Sequence, residues 1–148
     1  MPKPDFIGIG TQKAATTWIY SCLHEHPDLY VPMKEIHFFS DEHLWRRGRE
    51  WYESLYVHPA RPRVRIGEFS VTYLAHPHAP QRIAQLYPDI KLIACLRNPV
   101  DRAFSHYFND IRLGYIKPDV PFEVAAQQSN YFTWGHYAVA LQRYFEFF

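Results

Sequence analysis

The chain has 148 residues, enough for one domain that buries about 68–70% of the surface its unfolded form would expose. With 47% apolar and 18% aromatic residues it is composed for a packed core, which excludes a disordered chain, and a formal charge of +1 excludes a broad pull toward nucleic acid or anionic membrane. No apolar run is long enough to span a bilayer, and the first strand-like run starts too near Met1 to leave room for a signal peptide; a soluble, cytoplasmic protein with no nucleic-acid or membrane partner is expected.

Residues 6–20, FIGIGTQKAATTWIY, organise the rest. The alternation of Phe6, Ile7 and Ile9 with glycines at 8 and 10 predicts a short buried strand. A small-residue turn then holds Lys13, and Thr16 and Thr17 open a helix over 16–26 with Ile19, Cys22, Leu23 and His26 at helical spacing. Strand, loop and helix in this order aim the loop N–H groups and the free N–H groups of the first helical turn at one spot. The helix dipole and Lys13 add positive charge there, so phosphate or sulfate is the ligand such a loop suits. Ala14 and Ala15 let the backbone approach closely, and Thr16 and Thr17 offer hydroxyls. The nucleoside-triphosphate loop is not satisfied, because no Gly-Lys-Ser/Thr follows Gly8 or Gly10.

Leu29 to Val31 predict a short strand that Pro32 ends. Lys34-Glu35-Ile36-His37-Phe38-Phe39-Ser40 then mixes charge and aromatics without a helical or strand period, a composition that suits a functional loop. A helix is expected over 43–56, closed by HPARPRV, then a strand over 65–69 that delivers Ser70, Thr72 and Tyr73 into a loop. A helix over 77–87 precedes a strand over 90–96, whose nearly continuous apolar run predicts burial on both faces. Asn98 can cap and Pro99 can open a helix with Val100, Ala103, Phe104, Tyr107, Phe108 and Ile111 on one face, ended by Gly114; Asp101 and Arg102 are read as stabilising its start. A short helix over 122–128 and a last helix over 135–148 complete the chain. The alternation indicates an α/β fold, three layers around a central parallel sheet, with ligands at the carboxyl ends of the strands.

Cys22 and Cys95 are expected as small core residues. Two basic clusters, Arg46, Arg47, Arg49 and Arg61, Arg63, Arg65, read as solvated surface. Neither His24-Glu25-His26 nor His76-Pro77-His78 has metal-ligand spacing, and no metal is expected.

Three separated segments resemble one family. The loop with Lys13, Thr16 and Thr17 resembles the 5′-phosphosulfate loop of sulfotransferases that use 3′-phosphoadenosine 5′-phosphosulfate (PAPS), in the branch of heparan sulfate and other glycan enzymes and their bacterial relatives. KEIHFFS is similar to the Glu-x-His-Phe-Phe signature of that branch, and Leu96 to Tyr107 looks like the 3′-phosphate motif. The resemblance implies a P-loop-like nucleotide-binding sulfotransferase fold forming one domain over 1–148, shortened at its C-terminal end, with PAPS as co-substrate. It implies that Lys13, Ala14, Ala15, Thr16 and Thr17 hold the phosphosulfate, that Arg97 and Ser105 hold the 3′-phosphate, and that Lys13 also stabilises the departing charge. Glu35 takes the role of catalytic base, with Glu68 as second choice, and His37 orients Glu35 or the acceptor or is a structural histidine. Relatives carry Glu-Lys where this chain has Glu68-Phe69, so one expected positive charge is missing.

The acceptor is a hydroxyl or amine of a glycan, lipid or small metabolite. A non-catalytic nucleotide-binding or assembly module is the alternative, and the lack of Gly-Lys-Ser/Thr ranks a kinase-like phosphoryl transferase last. The apolar end from Tyr144 to Phe148 suits self-association.

Overall fold

The computed structural model describes residues 2–56 and 64–148. Four parallel strands form the sheet: β1 (Phe6–Gly10), β2 (Leu29–Tyr30), β3 (Arg65–Phe69) and β4 (Lys91–Ala94), in the order β2-β3-β1-β4. β1 runs through the middle with all five residues buried, and Phe6 sits opposite Gly67 on one side and Lys91 on the other. Two glycines make this pairing possible. A Cβ at Gly8 would lie 2.1 Å from the Phe69 ring and one at Gly67 2.2 Å from the Phe6 ring, so each glycine accepts an aromatic ring from the neighbouring strand.

Helices connect and cover the strands: α1 (Thr16–Glu25), α2 (Glu42–Trp45), α3 (Gly48–Ser54), α4 (Ala79–Leu86), α5 (Pro99–Arg112), α6 (Phe122–Gln128) and α7 (Tyr137–Phe145), with a 3-10 turn at Thr133–Gly135. The main core joins Ile7 and Ile9 of β1 to Phe38, Phe39, Tyr52, Tyr73, Ile83 and Tyr144. Phe38 stacks on Tyr52 at 4.4 Å and Phe39 meets Tyr73 edge-on at 5.4 Å, geometries that favour aromatic pairs beyond their area alone. A smaller core of Ala103, Tyr107, Ala125, Ala126 and Tyr131 ties α5 to α6.

Several expectations are corrected. The single helix over 43–56 is two, α2 and α3, because Gly48 takes a left-handed conformation (φ 80) between them. Its start also lies earlier, since Asp41 caps α2 by accepting from Leu44 N at 2.9 Å. The stretch expected to close it, HPARPRV at 58–64, lies outside the described residues up to Arg63, Arg61 included. β4 is not buried on both faces: it stands at the edge of the sheet, paired only with β1 among the described residues, and Leu92 and Ile93 are half-buried while Ala94 is exposed.

Cys22 is exposed rather than in the core, and Cys95 is half-buried. α1 buries only Thr16, so its apolar stripe beyond the first turn is left largely uncovered among the described residues. The stripe of α5 divides in the same way: Ala103 and Tyr107 pack inward, while Val100 and Phe108 are exposed. Arg102 does more than steady the start of α5. Fully buried, it donates to the Tyr131 carbonyl and lies 3.3 Å from His106 Nδ1, fixing the segment that leads to the 3-10 turn.

Candidate active site

The carboxyl ends of β1 and β3 and the segment after β4 open onto one cleft of about 640 Å³. Its floor is the loop from β1 to α1. Lys13 (φ 67) and Ala15 (φ 58) are both left-handed, so successive backbone N–H groups turn to one side, as in an anion-binding nest. The first helical bond runs from Ile19 N to Ala15 O, at 3.1 Å, which leaves the N–H groups of Thr16, Thr17 and Trp18 without helical partners at the positive end of α1. Thr16 and Thr17 line the cleft beside them, as does Ala15; Ala14 is buried behind the loop and packs rather than faces the ligand space.

Positive charge gathers over this floor. The Lys13 side chain makes no hydrogen bond or ion pair among the described residues, and burial, helped by the nearby cations Arg112, Arg97 and Lys34 and opposed by Asp110, holds its ammonium below the ordinary lysine pKa. Asp110 and, through Lys34, Glu35 supply part of the counter-charge, and the remaining positive charge favours an anion in the cleft. Arg97 donates from Nη1 to the Lys13 carbonyl at 3.3 Å, tying the segment after β4 to the loop, and has no carboxylate partner among the described residues. Ser105 and Asn109, one turn apart on α5, face the same cleft, and Trp134 on the 3-10 turn closes that side.

The opposite wall is the stretch after β2. Glu35 (φ 62) and His37 (φ 58) are left-handed although neither is glycine or asparagine, a strain that the surroundings must hold in place. They do so through the backbone: Glu35 N donates to Phe69 O at 2.9 Å and His37 N to Ser70 Oγ at 3.1 Å. The Glu35 carboxylate accepts from Val71 N at 3.0 Å, lies 3.1 Å from Lys34 Nζ and 3.6 Å from His37 Nε2. His37 Nδ1 in turn lies 2.8 Å from Thr72 Oγ1, which is 2.6 Å from Ser40 Oγ. Phe38 and Phe39, between and beyond these polar residues, are fully buried and pin the loop to the core.

Glu68 does not face the cleft, and this corrects its place as second candidate for the base. It is fully buried below Ser70, with Oε1 accepting from Tyr52 at 2.6 Å and Tyr73 at 2.9 Å and Oε2 from Ser70 at 3.1 Å. Burial pushes its carboxyl up to about 7 against the lowering effect of these three hydroxyls. Its role is architectural: Glu68 holds Ser70, and Ser70 holds the backbone of His37.

Lys13, Ala15, Thr16, Thr17, Glu35, His37, Arg97 and Ser105 thus share one cleft although the sequence separates the first from the last by most of the chain. Sequence reasoning missed six of its wall residues as site members: Gln12, Lys34, Val71, Thr72, Asn109 and Trp134. Asn109 could have been found, since it follows Ser105 by four residues on one helix and so shares its face. Trp134 carried no such signal, because its approach depends on the anchoring of the preceding segment by Arg102.

Comparison with known proteins agrees with this geometry. The family described as "Sulfotransferase domain" matches residues 3–148. The human bifunctional heparan sulfate N-deacetylase/N-sulfotransferase 3 is 30% identical, the alignment covering 98% of this chain and 19% of that protein. The human heparan sulfate glucosamine 3-O-sulfotransferase 6 is 36% identical over 70% of this chain and 30% of its own length. The chain therefore spans less than a third of the length of these curated relatives. A crystal structure of a sulfotransferase from Alicyclobacillus acidocaldarius superposes with a TM-score of 0.81 and 32% identity, over 100% of this chain and 70% of that one. From the cleft, the parallel sheet beneath it and these matches, the chain belongs to the sulfotransferase family.

Proposed function

We propose that this chain binds PAPS in the cleft and directs its sulfuryl group to a hydroxyl or amine of a glycan acceptor. The observation that carries the reading is the pairing, in one cleft, of a cationic cradle around Lys13 with a carboxylate, Glu35, on the facing wall. A pure binding module has use for the cradle and none for the carboxylate. The donor set suits the group: backbone N–H groups, a helix N-terminus, hydroxyls and cations are what phosphate and sulfate oxygens accept from.

Lys13 with the loop and first-turn amides would hold the 5′-phosphosulfate, and Arg97 with Ser105 the 3′-phosphate, for which a planar guanidinium offers two parallel donors. PAPS, when bound, supplies a sulfuryl group that forms a bond to the acceptor atom as its S–O bond to the 5′-phosphate breaks and the electron pair stays on the phosphate oxygen. The loop amides, held by the backbone, would stabilise negative charge at that oxygen with no reorganisation cost during transfer, and Lys13 would add a full positive charge there. Glu35 receives the acceptor's proton on its carboxylate, and Val71 N and His37 keep that carboxylate aimed into the cleft. The names of the relatives point to heparan sulfate with both nitrogen and oxygen as acceptor atoms, which supports a glycan and leaves both atom types in the proposal.

The test is transfer of radiolabelled sulfate from PAPS to desulfated heparan chains carrying free amines and hydroxyls. Wild-type protein is expected to label them and the Glu35→Gln variant to lose labelling by at least a hundredfold, within the range typical of a general base, about 10²–10⁴. Labelling by Glu35→Gln at the wild-type rate would overturn the assignment.

A further inference from the structure

Lys34 stands where the two walls of the cleft meet. Its Nζ lies 3.0 Å from Thr17 Oγ1, on the first turn of α1, and 3.1 Å from Glu35 Oε1. One partner belongs to the anion cradle and the other is the carboxylate assigned as base. The backbone under this lysine is anchored, because Lys34 forms a parallel bridge with Phe69 and the next residue donates to the Phe69 carbonyl. The side chain is half-buried, so the ammonium works in a setting where its charge is less screened than on open surface. An ammonium carries three N–H donors, and the two contacts seen use two of them.

Residue 69, across that bridge, is where the resemblance implies a lysine. Here it is a phenylalanine, fully buried, with its ring against Gly8, so no charge reaches the cleft from that position. Lys34 brings one in from the adjacent segment.

We propose that Lys34 is a catalytic contact for the transferring sulfuryl group, supplying the charge that residue 69 lacks. The inference rests on the reading of the cleft as a PAPS site. With PAPS absent, the ammonium is shared between Thr17 and Glu35. A bound sulfonate, adjoining the Thr17 end of the cradle, competes with Glu35 for that ammonium. As Lys34 turns its third N–H to the sulfuryl oxygens its charge is shared between them and Glu35, so arrival of the donor loosens the ion pair on the carboxylate that must take the acceptor's proton. The same ammonium then stabilises charge on the oxygens of the group in transit.

Two nucleotides separate this contact from the rest of the site, since adenosine 3′,5′-bisphosphate has the phosphates and lacks the sulfuryl group. Calorimetric titration of wild type, Lys34→Met and Lys34→Arg with each of them is the experiment. Met keeps the length of the stem and removes the charge. Lys34→Met is expected to weaken PAPS about tenfold, the loss of one charge-assisted hydrogen bond in a half-exposed site, while binding the bisphosphate within about twofold of wild type. Lys34→Arg is expected to recover most of the PAPS affinity. Equal weakening of both nucleotides, or PAPS binding unchanged in Lys34→Met, overturns the assignment of Lys34 and leaves the PAPS site standing. Failure of the folded wild type to bind the bisphosphate overturns the PAPS site itself, and this inference with it.

Discussion

Replacing Glu68 by Gln removes a titrating group from the centre of the fold while keeping its shape. The wild-type carboxyl titrates near 7 in the folded chain and near 4.5 as a free side chain, because burial penalises the charged form more than its three hydroxyl donors relieve it. Between those values the folded state holds more protons than the unfolded state, so stability falls as pH rises and the loss is complete above about pH 7. A rise of about 2.5 in pKa, at about 1.36 kcal/mol for each, makes the loss about 3 kcal/mol. Gln at 68 does not titrate. Urea unfolding of both proteins from pH 4.5 to pH 8 therefore predicts a difference that moves by about 3 kcal/mol in favour of Glu68→Gln across the window. His76 and His106, whose imidazoles burial pushes down, are common to both proteins and cancel in the difference. A difference that stays flat with pH, or moves in favour of wild type, would refute the claim that Glu68 is a buried structural acid.

Lys13→Ala is expected to lower turnover by about 10²–10³, since the proposed function places its charge at the departing oxygen, whereas Arg97→Ala is expected to act on affinity; steady-state kinetics separates kcat from KM. Asn98→Ala removes the cap that accepts from Val100 N at 3.0 Å and Asp101 N at 3.3 Å, and its cost of about 1 kcal/mol reads directly in the urea midpoint. Phe39→Ala opens a cavity among Tyr52, Tyr73 and Tyr87 and is expected to cost about 3–5 kcal/mol, measured by the same unfolding curves.

The sequence made legible what local chemistry dictates. Phe6 to Tyr20 declares strand, loop and helix by period and residue size, and Asn98-Pro99 declares the start of α5. Lys13 came out from the strand-loop-helix pattern, and Glu35, Arg97 and Ser105 from the resemblance of their segments to family motifs. What stayed hidden depends on contacts between distant residues. No local signal makes Lys13, Ala15, Glu35 and His37 left-handed; their conformations are imposed by the loops and by Phe69 and Ser70 on β3 and just beyond it. Glu68 reads in sequence as an acid at a strand end, second only to Glu35 as a candidate base, and only Tyr52 and Tyr73 closing over it make it structural. Lys34 reads as a surface partner of its neighbour until Thr17, seventeen residues away, is seen beside it. The apolar run of β4 suggested a central strand, yet an apolar run is also what an edge strand carries when half of it packs on β1.

Calorimetric titration of the 148-residue chain with adenosine 3′,5′-bisphosphate tests the central claim most directly, with Arg97→Ala as its control. Micromolar binding by the wild type and a loss of at least tenfold in the variant are expected, the latter for one bidentate charged contact. A folded chain that takes up no nucleotide, or an Arg97→Ala variant that binds as tightly as wild type, would contradict it.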